Sequence, residues 1–275
     1  MGLYKRILVA VDGSDASLNA LSESIKLSYW VRGRVCAIYV APPYEGDLSL
    51  TGVKDLKALL SEPCEITLAK IKETVENFGA SIEALCVEGE PFEKILEYAE
   101  TEDFDLIVAG TTKKNALYRA LIKGVTEKIM RFSSKDVLII PENTSIGWDN
   151  ILIPISSLQD SKFVAIKVNE ISKAYGSELL FLSVSGDDIK KNKLTEEIIK
   201  DIKELFPGIA NKIIMKKEDN VGAITDTALE HNANLIIMSS WKKKGIRNFF
   251  SKNTVEKVVN SSSCPVLVIS DELMK

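Results

Sequence analysis

Two short segments of this 275-residue chain carry polar groups that could bind a sugar or an anion. Residues 12–14 (Asp-Gly-Ser) follow the apolar run 7–11, and residues 110–114 (Gly-Thr-Thr-Lys-Lys) follow the apolar run 105–109. An aspartate at the end of such a run can accept hydrogen bonds from a sugar hydroxyl or an amine. The same residue before a glycine also forms a turn that caps the next helix, and both interpretations of Asp12 stay open.

The second segment has the composition of a phosphate site. Gly110 would let backbone N–H groups approach an anion, Thr111 would add a hydroxyl donor, and Lys113 would add a positive charge. Residues 123–126 (Lys-Gly-Val-Thr) are predicted to open a helix, so Gly124 would direct further N–H groups at the same anion. A solvated basic loop before a helix has the same composition and stays an alternative. The GxxxxGK[ST] pattern of a Walker A loop does not occur in the sequence.

Strands and helices that would position these segments alternate along the first half of the chain. The predicted strands are 7–11, 34–40, 81–87, 105–109 and 136–140. The predicted helices are 17–31, a long segment ending near 78, 91–101 and 125–132, with Ser17 capping the first and Pro91 in the first turn of the third. Continuous Val/Ile/Leu runs are typical of parallel strands buried on both faces. Strict alternation implies a doubly wound sheet, whose ligands bind beyond the carboxyl ends of the strands.

The second half of the chain repeats the first. Residues 105–110 match 234–239, and 136–140 match 265–269, in both cases at an offset of 129. Residues 5–11 match 149–155 at an offset of 144, so the first half has 144 − 129 = 15 additional residues, which we place between 41 and 64.

The repeat predicts an α/β protein of two similar doubly wound domains. Their predicted bounds are residues 1–142 and 148–275, joined by a polar linker at about 141–148. Each domain is expected to be a five-stranded parallel sheet with helices on both faces.

Composition excludes some classes of partner. The chain has 35 basic and 39 acidic residues, so a net charge of −4 gives no general attraction to nucleic acid or anionic membrane. No apolar stretch reaches 18 residues, and the first residues lack the layout of a signal peptide. The run 241–250 (WKKKGIRNFF) mixes basic and aromatic residues and could bind single-stranded nucleic acid. A mobile basic loop is the simpler interpretation.

The cysteines and the single histidine indicate neither a metal site nor a secreted protein. The four cysteines form no CxxC pair, and His231 is the only histidine, which argues against zinc. Cys36 and Cys86 lie in apolar runs and are expected to be small core residues. A reducing compartment, and so a cytoplasmic location, is predicted.

The opening residues 5–14 (KRILVAVDGS) and the closing run 254–269 (TVEKVVNSSSCPVLVI) resemble the universal stress protein family, and the resemblance covers both halves. It implies a Rossmann-like, adenine nucleotide alpha hydrolase-like fold. It also implies that the halves pair through their last strands, 136–140 and 265–269, as an internal pseudo-dimer. A homodimer of the whole chain is a further expectation. The ligand class that the resemblance implies is ATP, ADP or AMP.

Nucleotide-binding members of that family carry G-x2-G-x9-G-[ST] after the fourth strand and an aspartate after the first. In the first half Gly110 fills the first glycine position, Lys113 and Lys123 replace the next two, and Gly124 stands where Ser or Thr is usual. Asp12 matches the family aspartate. The resemblance therefore predicts a cofactor-binding site made of Ala10, Val11, Asp12, Val40, Gly110, Thr111, Lys113, Lys123, Gly124 and Val125.

The second half departs further from the family pattern. The four signature positions hold Ser239, Lys242, Lys252 and Asn253, and Ser156 replaces the aspartate. The expected function is a non-enzymatic stress-response binding or regulatory protein, with a weak adenine-nucleotide site in the first domain and a degenerate second domain. The alternative is an ATP-binding protein whose slow hydrolysis makes it a nucleotide-dependent switch. No catalytic residue and no metal ligand is predicted.

Overall fold

The computed structural model describes residues 3–43, 56–112, 116–155, 158–184, 211–216, 220–239 and 252–270, together with 200 and 204. In the first half, strands β1–β5 are Arg6–Ala10, Arg34–Ala41, Glu83–Glu88, Leu106–Thr111 and Asp136–Pro141. Helices α1–α4 are Asp15–Val31, Leu56–Asn77, Pro91–Thr101 and Ala116–Phe132. In the second half, strands β6–β10 are Asn150–Ile155, Glu178–Val184, Asn211–Lys216, Leu235–Ser239 and Val266–Ile269. The described helices there, α5–α7, are Leu158–Tyr175, Asn220–Glu230 and Lys252–Ser261.

The described strands form one sheet of ten in the order β3-β2-β1-β4-β5-β10-β9-β6-β7-β8. Within each half the strands are parallel, and the order of the second half is the mirror image of the first. The two halves meet where β5 and β10 pair antiparallel, with Leu138 opposite Leu267. The doubly wound fold and the pairing through the last strands are therefore both confirmed.

Both faces of the sheet carry a continuous core that runs through the two halves. Side chains of successive strand residues alternate between faces. Ile7 and Val9 of β1 pack in one core with Leu138 and Ile153, whereas Leu8 packs in the other core with Leu152. Such two-sided burial explains why the strands have no polar alternation.

The additional residues of the first half lie between its second and third strands. β2 and β7 begin 178 − 34 = 144 residues apart, whereas β4 and β9 begin 235 − 106 = 129 apart. The offset between β3 and β8 is already close to the second value, because these strands begin at residues 83 and 211. Much of the predicted segment 41–64 is outside the described residues.

The starts of helices α1 and α4 differ from the predictions. Helix α1 is capped by Ser14, whose Oγ accepts a hydrogen bond from Ser17 N at 3.3 Å, so Ser17 is not the cap. Helix α4 begins at Ala116 rather than near Gly124. Residues 116–123 (ALYRALIK) are mostly strong helix formers, and their combined propensity outweighs the cost of about 1 kcal/mol for one interior glycine.

Cys86 is not the core residue that its sequence context predicted. It is partly exposed on β3, the edge strand of the first half, and it forms a disulfide with Cys64 of α2, with the Cα atoms 6.0 Å apart. An edge strand has a neighbour on one side only, which leaves room for this contact. Cys36, on the more central β2, is buried as predicted. Because disulfides are rare in reducing compartments, the cytoplasmic location stays a prediction.

Asp136 is the polar centre of the junction between the halves. This buried carboxylate at the start of β5 accepts hydrogen bonds from Tyr4 Oη and from Ser270 N, both at 2.9 Å. Lys167 of α5 places its Nζ 2.8 Å from Asp136 Oδ2 and 4.9 Å from the ring centre of Tyr4. One side chain therefore connects the start of the chain, the last strand and a helix of the second half.

Asp136→Asn is expected to lower the free energy of unfolding by about 3 kcal/mol. Lys167 loses its counter-charge, and the new side-chain NH2 group faces a hydrogen-bond donor, Tyr4 Oη or Ser270 N, where the carboxylate had accepted a hydrogen bond. Asp103→Asn is the matched control. Its carboxylate is 88% exposed and pairs with Lys135 at 3.2 Å, so removing that charge should change stability by less than about 0.5 kcal/mol. Urea unfolding followed by circular dichroism measures both. Equal effects of the two substitutions would contradict this role of Asp136.

The Cys64–Cys86 disulfide closes a loop with a sequence separation of 22, which corresponds to about 3 kcal/mol of stabilisation. Dithiothreitol should lower the stability of the oxidised protein by this amount and leave the Cys64→Ser/Cys86→Ser double variant unchanged. Thiol labelling of unreduced, unfolded protein should find Cys36 and Cys264 free. Labelling of all four cysteines would show that the bond does not form.

Candidate functional site

A cleft of about 540 Å³ opens at the carboxyl ends of β1, β2 and β4. We call it the strand-end cleft. It lies where the strand order reverses, since β2 is on one side of β1 and β4 is on the other. Of the predicted site residues, the structure brings seven together here: Ala10, Val11, Asp12, Val40, Gly110, Gly124 and Val125.

The remaining three predicted residues are placed differently. Thr111 is the last residue of β4 and does not line the cleft. Lys113 lies outside the described residues. Lys123 is within α4, although its side chain is not part of the described structure.

Asp12 stands at the mouth of the cleft in a turn that begins α1. Its Oδ1 accepts hydrogen bonds from Ser14 N at 3.0 Å and from Ser14 Oγ at 2.5 Å, while its own N–H donates to Ser17 Oγ at 3.3 Å. Gly13 has a φ of +78°, which favours glycine, and its carbonyl accepts from Lys70 Nζ at 2.8 Å. The carboxylate is thus both a turn residue and an exposed group of the cleft, so the two interpretations of Asp12 are compatible.

The inner side of the cleft is apolar. Val11 and Val40 are 3% and 6% exposed, and Ile38, Ile95 and Ala109 are buried beside them. Tyr39 also lines the cleft. Burial raises the pKa of its hydroxyl above 10.0, and the negative charge of Asp12 adds to the shift.

Backbone polar groups of β2 reach into this apolar space. β1 ends at Ala10, whereas β2 continues to Ala41. Val11 N donates to Ile38 O at 2.9 Å, so Ile38 directs its polar groups toward β1. Alternate residues of a strand direct their N–H and C=O groups to the same side. Val40 therefore directs its own toward the position beyond the end of β1.

Gly110 has a packing role that the sequence did not reveal. A Cβ atom at this position would lie 2.3 Å from Ala16 O and 2.7 Å from Ser17 N. The first turn of α1 thus crosses directly over the end of β4, and only a glycine leaves enough space. The hypothesis that Gly110 serves an anion is not needed to explain this residue.

Gly124 lies inside α4 and not at its first turn, so the predicted set of free N–H groups at 123–126 does not form there. One turn later, Lys128 lines the cleft, with its Nζ 3.3 Å from Glu90 Oε1 and 4.3 Å from the ring centre of Phe92. Sequence reasoning missed Lys128 and Glu90. The spacing of four residues between Gly124 and Lys128 could have indicated a shared helix face.

The matching region of the second half is described only in part. Ser239 ends β9, and Asn253 is an exposed residue in the first turn of α7. Ser156, Lys242 and the basic run 241–250 lie outside the described residues.

The chain belongs to the universal stress protein family, whose model matches residues 3–141 and again residues 147–270. A universal stress protein of Methanocaldococcus jannaschii is 36% identical over 145 residues, which cover 50% of this chain and 82% of that protein. One from Mycobacterium tuberculosis is 27% identical over 143 residues, covering 51% and 98%. The crystal structure of a universal stress protein from Archaeoglobus fulgidus superimposes with a TM-score of 0.70 at 20% identity, covering 97% of both chains. The tandem arrangement and its fold are therefore established.

Among the described helices, none combines the length and the apolar character needed to cross a membrane.

Two glycines of the cleft are predicted to respond oppositely to alanine. Gly110→Ala should lower the free energy of unfolding by about 3 kcal/mol, because the new methyl group overlaps the backbone of α1. Gly124→Ala should raise it by about 0.5–1 kcal/mol, because no atom lies within 4 Å of its added Cβ and alanine is the better helix former. Chemical denaturation measures both changes. Destabilisation by Gly124→Ala would show that this glycine is required by the fold.

Proposed function

We propose that this tandem universal stress protein is a non-enzymatic binding and regulatory protein whose first domain, residues 1–142, takes an adenine nucleotide in the strand-end cleft. The observation that carries the proposal is the direction of the Val40 backbone into the apolar part of that cleft. An adjacent N–H donor and C=O acceptor complement the edge of a purine base. Apolar side chains on both sides of the base exclude water from those hydrogen bonds.

Asp12 extends this recognition to the ribose. Its carboxylate lies at the mouth of the same cleft and is exposed, so it can accept hydrogen bonds from sugar hydroxyls. Ser14 fixes the orientation of the carboxylate through two hydrogen bonds to Oδ1. The volume of about 540 Å³ is in the range of small-molecule sites.

The residues at the phosphate end of the cleft indicate that phosphate groups would bind weakly. Among the described lining residues, Asp12 and Glu90 are acidic and Lys128 is the basic one, and Lys128 is paired with Glu90. The helix that would offer free N–H groups begins at Ala116, eight residues before Gly124. We therefore infer that adenosine supplies most of the binding free energy. We also infer that the second domain, residues 148–275, is degenerate as a nucleotide site, because Ser156 replaces the aspartate and Ser239, Lys242 and Lys252 replace the signature glycines.

Calorimetric titration of the full-length chain tests this proposal. AMP and ATP are expected to bind within about fivefold of each other, because a charge-assisted phosphate contact of ~1.5–3 kcal/mol is not formed. Gly124→Trp should abolish AMP binding, because the open space beside Gly124 receives the indole. Asn253→Trp, the position 129 residues later, is the matched control and should bind as the unmodified chain does.

Two outcomes would contradict the proposal. Affinity for ATP about a hundredfold above that for AMP, and lost in Gly124→Trp, would show a working phosphate site in the strand-end cleft, since each tenfold corresponds to about 1.4 kcal/mol. Loss of binding in Asn253→Trp but not in Gly124→Trp would assign the nucleotide to the second domain.

A further inference from the structure

A second concave site lies at the opposite end of the first domain's sheet, at the amino ends of the strands. This groove has a volume of about 910 Å³ and is lined by Arg6, Arg32 and Arg34, together with Tyr29 and Glu83. We call it the arginine groove. Arg6 begins β1, Arg32 follows the last residue of α1, and Arg34 begins β2, so three guanidinium groups come from adjoining elements.

The backbone that carries these arginines is held firmly. Arg32 has a φ of 52°, and Gly33 N donates to Ser28 O at 2.9 Å to complete the end of α1. Arg34 N donates to Lys5 O at 2.7 Å. A Cβ on Gly33 would lie 2.9 Å from Tyr4 O, so the turn packs tightly against the start of β1. The backbone of the arginines is therefore fixed, so that binding has to order only their side chains.

Charge in the groove is only partly balanced. Arg6 and Arg34 are register partners on neighbouring parallel strands, so two basic residues occupy adjacent positions at this end of the sheet. Arg6 lies 3.9 Å from Glu102 and 5.5 Å from the ring centre of Phe104. Within the described part of the chain, no carboxylate forms an ion pair with Arg32 or Arg34. A bound anion would balance the charge of Arg32 and Arg34.

The carboxyl end of α1 explains a positive charge at Arg32 but not at Arg6 or Arg34. The carbonyl end of α1 carries partial negative charge and stabilises a cation at Arg32. Arg6 and Arg34 lie on strands, where no such field explains them. Glu83 lines the groove as an acid and reduces its net positive charge without cancelling it.

We propose that the arginine groove binds the phosphate groups of a small polyanion. Planar guanidinium groups match phosphate oxygens in pairs, and the volume is in the range of sites for small molecules. Tyr29, which is 57% exposed, adds a fixed aromatic side to the groove, because its hydroxyl donates to Phe78 O at 3.2 Å.

Titration of the full-length chain with inorganic tripolyphosphate at constant ionic strength tests this site. The Gly124→Trp background closes the strand-end cleft, so that binding there does not contribute. Arg32→Gln/Arg34→Gln should weaken tripolyphosphate binding at least about tenfold through the loss of charge-assisted hydrogen bonds. Arg34→Lys keeps the charge but not the paired donors, and should give an intermediate loss. Arg131→Gln, an exposed arginine of α4 outside the groove, is the matched control.

Circular dichroism of each variant verifies that the fold is intact. No heat of binding at millimolar tripolyphosphate in the Gly124→Trp background would overturn the proposal. The same would follow from an equal loss in Arg131→Gln, which would show attraction to total charge only. Displacement by ATP would identify a nucleotide's phosphates as one source of the anion. Displacement by inorganic pyrophosphate alone would identify a phosphate chain without a base.

Discussion

The antiparallel pairing of β5 with β10 is the constraint on which the rest of the molecule depends. Each half has a fifth strand whose outer edge would present unpaired N–H and C=O groups, and the pairing removes both edges at once. It also brings Asp136 into the interior, which is tolerable because Tyr4 and Lys167 surround its carboxylate. Burial, followed by the charge of Asp136, raises the pKa of Tyr4 well above its ordinary value, so this hydroxyl stays a donor.

Equivalent positions of the two halves support this junction with different chemistry. Lys167 of α5 corresponds to Glu23 of α1, since both halves align here at an offset of 144. Lys167 pairs with Asp136, whereas Glu23 accepts a hydrogen bond from Ile146 N in the linker at 2.9 Å and pairs with Lys26 at 2.6 Å. The same helix face thus holds the neighbouring half in one case and the connecting segment in the other. The two halves therefore keep the position on the helix while the charge of the side chain and its partner differ.

Local patterns in the sequence were sufficient for the strands, the doubly wound class and the repeat, because buried runs and alternation are properties of short segments. The errors arose where a residue is constrained by a contact with another residue far away in the sequence. Gly110 is required by Ala16, which is 94 residues away in the chain, and no spacing rule connects them. The Cys64–Cys86 contact has no motif either. The early start of α4 is different, since the helix-forming residues 116–123 were readable in the sequence but were interpreted as a loop before a helix that opens at 123–126.

These constraints also explain how the second half can lose its signature residues and stay in place. Its contribution to the fold comes from β10, which covers β5, and from core residues such as Leu152 and Leu267. Of its signature positions, Ser239 is the last residue of β9 and Asn253 is exposed in the first turn of α7, and neither belongs to the edge pairing or to the two cores. In the first half the apolar end of the cleft is itself part of the core, since Val11 belongs to the core on one face of the sheet and Val40 to the core on the other. Packing therefore fixes the apolar end of the cleft, where we propose that the base binds.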